Sequence, residues 1–593
     1  MVSYIEKTVT QLQHAPHALW SCLYYCCQSS FDFWLRHVPP RFTSAACQRI
    51  DTALVQAVES ITYAGAFSDS LTLRRLRLPA RMRGGGIRSR ATLAPAAYAA
   101  CFLEAAGAFL PRLSIQGTVQ PGMFDMLSPA FGAAAVDGGI GWLQQYVQSR
   151  YPSADALVEA WQSMREEAGV VEEVVDIGFL GGPLHRPVHS AGVGMVRGIQ
   201  RAITQQREQV ARDELHHAIA GLPRADTRRE SWFAADKLSA AWVSSYPSQR
   251  DACAPAEFAE MVVTFFGRES PAVRHLVGRH IACSGVQGGR VCDPFGQQIG
   301  LARLPGGHHQ ACHQAIADML FSEAFSAGVV GFEEPARLFQ SVIPVSILGA
   351  RDGQGRPPAI IPDASLSVSL RPRVGRRDPD RTADGQRSRR PDGASQHRDW
   401  LVDVKTLHGG GTMYRTARAV AEQSGAVEER AYQVQQEYER HARHMDARLQ
   451  QMGHVAVGET PVQQRMRQIG PVRGLAFGQY AEASTDVHEL IAVIAQHRAT
   501  REWRRLGARS VEESRAFFIA SLRRTVGVFV ARQMARHRLQ RAPMVGLTRQ
   551  QLDESIGRRR MQLDAARNPR VIASVHTDFF GYQAWVPHSL ETA

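Results

Sequence analysis

Residues 359–370 read Ala-Ile-Ile-Pro-Asp-Ala-Ser-Leu-Ser-Val-Ser-Leu, and residues 399–406 read Asp-Trp-Leu-Val-Asp-Val-Lys-Thr. Trp400 to Val404 is an apolar run with one acid inside it, the pattern of a buried strand. Side chains alternate faces along a strand, so Asp403 and Lys405 share one face and Val404 takes the other. Upstream, Ile360 and Ile361 run into the turn-prone pair Pro362-Asp363, and Leu366 to Leu370 then alternate as a half-buried strand does. If the two strands are neighbours, Asp363 meets Asp403 across the ladder. Adjacent carboxylates repel, and a divalent cation relieves the repulsion; Mg²⁺ takes one or two carboxylates together with water and phosphate oxygens. An acid set inside Leu-Val-Asp-Val is costly to bury unless it is paired or metal-bound. The plain alternative is an edge-strand acid with Lys405 as its surface partner.

The segments that follow extend this reading. A long helix is expected over 426–450 and a strand over Val472–Gly478. Ser484-Thr485-Asp486-Val487-His488-Glu489 then reads as an acidic, N-capped helix start. Strand, strand, helix, strand, helix is the order that an α/β core needs. The middle of the chain, 110–250, reads as helical. Ala156–Trp161 is one amphipathic run and 197–221 another, with Ile199, Ile203, Val210, Leu215 and Ile219 at helical spacing. Leu180-Gly181-Gly182-Pro183 reads as a turn rather than a phosphate loop, since no Gly-Lys-Ser/Thr follows.

Pro362-Asp363 with Asp403-Val404-Lys405 resembles the PD-(D/E)XK nucleases. The resemblance implies a restriction-endonuclease-like domain that hydrolyses phosphodiesters with Mg²⁺ (or Mn²⁺). It implies that Asp363 and Asp403 hold the metal, helped by the Val404 carbonyl, and that Lys405 positions and activates the water. Glu334, in Phe332-Glu333-Glu334-Pro335, is the candidate for an extra acid. Gln436, or Gln433, is the candidate polar residue that the following helix aims at the site.

The N-terminal hundred residues carry a second resemblance. Phe33–Pro40, Leu78-Pro79-Ala80-Arg81-Met82-Arg83-Gly84-Gly85-Gly86-Ile87-Arg88-Ser89 and Ala94-Pro95-Ala96-Ala97-Tyr98 occur in order. They resemble the region just after the polymerase core in reverse-transcriptase proteins of non-LTR-like retroelements. Val404–Gly409, Glu428–Ala431 and Val472–His488 look like the nuclease domain that follows in those proteins. There is no Tyr-x-Asp-Asp and no Asp-Asp pair in the chain, so two-metal polymerase chemistry is not expected. Retroelement endonucleases often carry a zinc knuckle before the nuclease. Cys283, Cys292, His308, His309, Cys312 and His313 lie in that neighbourhood, but Gln297, Gln298 and Ala302 stand where a His and a Cys would be wanted. Zinc is therefore not expected. His309 and His313, at i and i+4 on a helix, could share a metal or be ordinary polar positions.

A length of 593 residues suggests more than one domain. The net charge of +13 suits a polyanion such as DNA, with the element's RNA as a second partner. Nine Cys without a regular framework suit a reduced, intracellular protein, and the element type points to the nucleus. No run is long and apolar enough for a membrane span. Residues 17–35 read as a buried helix pair. Basic stretches offer nucleic-acid contacts: Arg81, Arg83 and Arg88 near the N-terminus, and Arg532 and Arg536 with Arg538 and Arg541 near the C-terminus. Phe518, Leu522, Phe529 and Met534 read as core packing. Residues 371–398 hold nine Arg and four Asp with almost nothing apolar, an expected disordered insertion between the two acid-bearing strands.

The expected fold is α+β and multidomain, with a largely α-helical N-terminal half and an α/β restriction-endonuclease-like C-terminal domain. The expected map is a helical reverse-transcriptase remnant at 1–110, a helical connecting region at 111–250, a degenerate knuckle-like linker at 251–304, the nuclease-like domain at 305–545 and a tail at 546–593. The expected activity is metal-dependent nicking of DNA. The competing expectation is a non-catalytic nucleic-acid-binding or scaffold protein, favoured by the missing knuckle ligands and by an insertion between the strands of the site.

Overall fold

The computed structural model describes residues 1–109, 172–176, 183–187, 199–248, 251–282, 289–350, 358–369, 397–415 and 425–554. The chain divides into two compact units, Met1–Leu222 and Pro223–Ala593. Together they are mixed α+β, mostly helical with small sheets. The run Ala156–Trp161 and the insertion core at 370–396 lie outside the described residues. So do Gly181, Gly182, Cys283 and the tail beyond 554.

The first unit is built on helices. Pro40–Ile61 (α1) has proline at its first turn, where no N–H is needed. It buries Cys47, Ile50, Leu54, Val58 and Ile61 at helical spacing. Ser70–Arg77 (α2) is capped by Asp69, whose carboxylate accepts the Thr72 N–H at 3.1 Å. Buried Asp51 of α1 fixes the start of Arg90–Phe109 (α3), accepting from the Ser89 hydroxyl at 2.5 Å and the Arg90 N–H at 2.6 Å. Ile199–Ala220 (α4) matches the helix expected over 197–221. A hairpin pairs Glu172–Asp176 with Pro183–Pro187. In the 17–35 segment Trp20, Leu23 and Leu35 are buried, but Phe33 and Trp34 are 63% and 53% exposed, so it is a half-buried surface layer.

The second unit has a four-stranded sheet: Val330–Glu333 (β1), Ala364–Ser369 (β2), His397–Thr406 (β3) and Val472–Phe477 (β4), in the order β1-β2-β3-β4. β1, β2 and β3 are antiparallel neighbours; β3 and β4 are parallel. The helices around it are Thr227–Ala234 (α5), Pro255–Phe266 (α6), His308–Ser326 (α7), Gly425–Gln451 (α8), Pro461–Ile469 (α9), Thr485–Glu502 (α10) and Val511–Arg541 (α11). Parallel neighbours need a crossover, and α8 with α9 supplies it. On that face Leu401 and Val472 of the sheet share a core with Val434, Tyr438, Ala442 and Met445 of α8. Gly474 allows the close approach, because a Cβ there would stand 2.5 Å from the Ala431 Cα of α8. On the other face Arg473 stacks on Trp400, with its guanidinium 3.8 Å from the ring centre. It also pairs with Asp486 and Glu489 of α10 at 2.7 and 2.8 Å.

The break between the units falls at 222/223, so residues 223–304, expected to be connecting region and linker, pack into the second unit. α6 docks on α11 through Arg536–Glu257 at 2.7 Å and the buried pair Arg538–Glu260 at 2.9 Å. The knuckle neighbourhood is held by packing and hydrogen bonds. Cys292, Ile299 and Ala302 share a core with Met544, Val545 and Leu552. Asp293 accepts the N–H groups of Phe295, Gln297 and Gln298 at 2.9, 3.2 and 2.6 Å.

Candidate active site

The site grows from the register of β2 on β3. Ala364 stands opposite Val402, so Asp363, one residue before, falls beside the Asp403 level. β2 has not yet begun there, and Asp363 takes the place of a ladder partner: its Oδ2 accepts the Val404 N–H at 2.7 Å. The Leu407 N–H donates to Phe477 of β4, so odd residues of β3 face β4 with their backbone groups. Val404 faces the opposite way, and its carbonyl therefore opens on the Asp363 side, where no strand pairs with it. Asp403 and Lys405 share the face covered by α8, and Lys405 Nζ lies 2.5 Å from Asp403 Oδ2.

Asp403 is 3% exposed. Burial and the charge of Asp363 push its carboxyl up to about 6, against the pull of Lys405, and the two carboxyl groups are close enough to hydrogen-bond. Asp363 is the member held below its usual range. Burial alone would raise it, but His313, the Val404 N–H and Lys405 outweigh burial. Of the two neighbouring carboxyls, Asp403 is therefore the one that keeps its proton to higher pH. The donor set fits a divalent cation: two carboxylates side by side, a backbone carbonyl opening between the strands, and a lysine next to them.

Two residues that sequence reasoning did not assign complete the surroundings. His313, on α7, brings Nε2 to 3.6 Å from Asp363 Oδ2. Tyr438, on α8, faces both acids. Its hydroxyl lies 3.3 Å from the Ile361 carbonyl, and burial, with the charges of Asp403 and Asp363, holds its phenol well above 10. Tyr438 sits on the apolar stripe Val427, Ala431, Val434, Tyr438, Ala442, and its place on that stripe was a readable signal.

Gln436 is corrected: it is exposed, two residues and so about half a turn away from Tyr438, on the solvent side of α8. Gln433 is half-buried and bonds Glu429 on its own helix at 3.5 Å. Glu334 meets the site through its backbone, donating its N–H to the Asp363 carbonyl at 2.9 Å from a left-handed conformation with φ 42°. Its side chain is exposed.

The basic residues are engaged within their own units. Arg81 and Arg88 both pair with Glu208 of α4, at 2.5 and 2.9 Å. The Arg83 carbonyl accepts from buried Arg75 at 3.1 Å. Arg532 donates to the Ala252 carbonyl at 2.9 Å, and Arg536 pairs with Glu257.

His309 does not join His313. Its Nδ1 lies 3.0 Å from His408 Nε2, and its Nε2 lies 2.9 Å from the buried guanidinium of Arg541. The same Arg541 nitrogen lies 2.9 Å from His537 Nε2, and Arg541 also donates to the carbonyls of Gly300 and Ala302. Burial first, then neighbouring imidazoles and Arg541, pulls His309 down to about 4 and His408 to about 3, and depresses His537 as well, so all three are neutral at pH 7. Their ligating atoms lie within 4.8 Å of one another, a set that could hold a metal. Arg541 takes two of the three Nε2 atoms. It also staples the carbonyls of Gly300 and Ala302.

No known family model and no curated protein matches this chain. No described helix is long and apolar enough to cross a membrane.

Proposed function

We propose that the second unit is a metal-dependent phosphodiesterase acting on DNA, a nicking endonuclease of the PD-(D/E)XK kind. The observation that carries the proposal is the strand register that sets Asp363 beside Asp403, with Lys405 next to Asp403 on the same strand face. Two carboxyls this close are poorly tolerated as two anions, and a bound divalent cation, Mg²⁺ or Mn²⁺, turns that repulsion into affinity. When bound, the cation would polarise the scissile phosphate and lower the pKa of a bound water. Asp363, Asp403 and the Val404 carbonyl would hold it. Lys405, beside Asp403, would orient the attacking water and stabilise charge developing on phosphate oxygens. The Val404 N–H fixes Asp363 in place, and Tyr438 closes the α8 side against bulk water. The retroelement resemblance makes target DNA the substrate and the element's RNA a further partner, in the nucleus.

The scaffold alternative draws support from the insertion between the acid strands. In the structure β2 and β3 run together as far as Ser369 opposite His397, and the insertion departs from that end. Asp363 is six residues from Ser369 along β2, about 20 Å at 3.4 Å per residue, so the insertion begins and ends far from the acids.

The test is nicking of supercoiled plasmid by the full chain with Mg²⁺ or Mn²⁺, beside Asp403→Ala and Lys405→Ala. Cleavage that disappears in both variants supports the nuclease. No cleavage by any form, with salt-sensitive DNA binding retained, moves the protein to the scaffold reading.

A further inference from the structure

The first unit carries a surface that its own packing leaves uncovered. In the short helix Asp32–His37 only Leu35 is buried, in a core with Cys47, Ala94 and Ala97. At 3.6 residues per turn, Leu35 turned inward leaves Phe33 and His37 on the outward side with Trp34 beside them. After two residues α1 begins. Thr43, Cys47 and Ile50 of α1 go inward, and Arg41, Phe42, Ala45, Gln48 and Arg49 are exposed. Phe42 is 66% exposed, as open as Phe33. His37 and Arg41 are four residues apart, so no more than about 14 Å separates the backbones of the two exposed sets.

The rings stand among cations. The His37 ring stacks on Phe33 with centres 4.2 Å apart and planes 27° from parallel, and its Nδ1 donates to the Phe33 carbonyl at 2.8 Å. The Arg41 guanidinium lies 4.6 Å from the centre of the Phe42 ring. Trp34 meets Phe33 edge-on at 5.9 Å, its only ring contact among the described residues. Over 31–49 the charges are Arg36, Arg41 and Arg49 against one acid, Asp32, and Arg90 already takes that carboxylate. Large apolar side chains gathered in the open mark an interaction site. The charge says what kind. An acidic protein face would use the arginines, and a duplex offers them its phosphates, but both leave the rings idle. A single strand uses both, with unpaired bases stacked on the rings and phosphates on the arginines.

We propose that Phe33, Trp34 and Phe42, with Arg41 and Arg49, form a docking surface for single-stranded DNA, which binds by base stacking and phosphate contact without sequence preference. The occupant is DNA because DNA is the substrate proposed for the second unit, and to that extent the assignment rests on the nuclease reading. The surface itself lies wholly in the first unit and needs no catalysis.

The experiment measures binding of the full chain, in chelator, to a thymidine oligomer of about twelve nucleotides. A uridine oligomer and a DNA duplex of equal length are run alongside, with tryptophan fluorescence and anisotropy as readouts. Trp34→Ala and Phe42→Ala should each weaken single-strand binding about ten-fold or more, with little effect on the duplex. Trp34→Phe should keep most of the affinity while the fluorescence change on binding shrinks, which separates stacking from a structural role. Arg41→Ala with Arg49→Ala should make the slope of log affinity against log salt shallower by about 1.4, 0.7 for each phosphate contact. Asp403→Ala should bind the strand as the native chain does, so a failed nuclease reading and a failed docking surface give different results. Single-strand affinity unchanged in Trp34→Ala and Phe42→Ala overturns the proposal, as does equal loss on strand and duplex. Loss of strand binding in Asp403→Ala would place the strand at the acid pair and overturns it too. Tighter binding of the uridine oligomer overturns DNA as the occupant. A concentration-dependent dimer in sedimentation that Trp34→Ala abolishes would make the face a contact between copies and overturns the nucleic-acid assignment.

Discussion

Replacing Asp403 with Asn should make the metal-free protein more stable at pH 8, although Asp403 is a buried residue of a central strand. Burial and the Asp363 charge raise its carboxyl to about 6, from 3.8 for the free side chain. The unfolded chain releases this proton near pH 4 and the folded chain near pH 6. Between those values the folded state binds more protons, so stability falls as pH rises, and the full penalty is present above pH 6. At 1.36 kcal/mol for each pH unit between the two values, the penalty comes to about 3 kcal/mol. Asn has the same shape and no proton to lose, so the variant escapes the penalty, less what it gives up in its contact with Lys405. Urea unfolding of both proteins, with chelator, at pH 4 and pH 8 measures this. The native chain and the variant should be near parity at pH 4, with the variant ahead by about 2–3 kcal/mol at pH 8. Mn²⁺ at one thousand times Kd should reverse the order, because only the native chain gains RT ln(1 + [L]/Kd), about 4.1 kcal/mol at that concentration. A variant no more stable than the native chain at pH 8, or a gap that persists at pH 4, would refute the reasoning.

Three further outcomes follow from the packing. Gly474→Val places a side chain 2.5 Å from the Ala431 Cα, which is helix backbone and cannot swing away; a loss of about 1–3 kcal/mol or more is expected by urea unfolding. Arg541→Met leaves two imidazole nitrogens and the carbonyls of Gly300 and Ala302 without their donor, and a loss of about 3–5 kcal/mol is expected. Glu482 is buried beside Tyr414 and Tyr480, and burial raises it to about 8, so it is neutral at pH 7. Its contribution is full below pH 4.5 and is lost as pH rises toward 8. Glu482→Gln should therefore flatten the fall in stability over that range, seen as a smaller difference between unfolding midpoints at pH 5 and pH 8.

Three of the four strands were legible, one from two-residue alternation and one from an apolar run with an acid inside it, as was the crossover helix from its apolar stripe; Val330–Glu333 is a strand where a helical unit was expected. Helix Gly425–Gln451 and strand Val472–Phe477 fall within a residue of where periodicity puts them. The acid pair was legible from the strand pattern: one register, Ala364 on Val402, brings Asp363 to Asp403. Tyr438 was hidden by chemistry rather than by pattern. It occupies a buried stripe position, whereas the nuclease resemblance points to an amide on that helix. His313 was hidden by distance. It lies fifty residues before Asp363 on another element, and its i, i+4 neighbour His309 offered a nearer partner. The local partners of the basic residues were not legible, because charge along a sequence does not say which acid the fold brings near. Glu208, more than a hundred residues away, takes both Arg81 and Arg88.

The Arg541 cluster ties the segment around Gln297–Ala302 to the helices that pack on it. Here the tie comes from α11: Arg541 reaches the carbonyls of Gly300 and Ala302 and, through His309, the first turn of α7. A guanidinium in contact with two imidazoles, His309 and His537, works only while those imidazoles stay uncharged. The low values of His309 and His408 are thus part of the same arrangement. The position of α7 relative to β3 is thereby set from one end, and that position is what carries His313 to Asp363. Loss of the staple in Arg541→Met should therefore weaken Mn²⁺ binding at the acid pair as well as stability, even though Arg541 touches neither acid. A variant that stays folded and binds Mn²⁺ as the native chain does would show that α7 is held in place by its core alone.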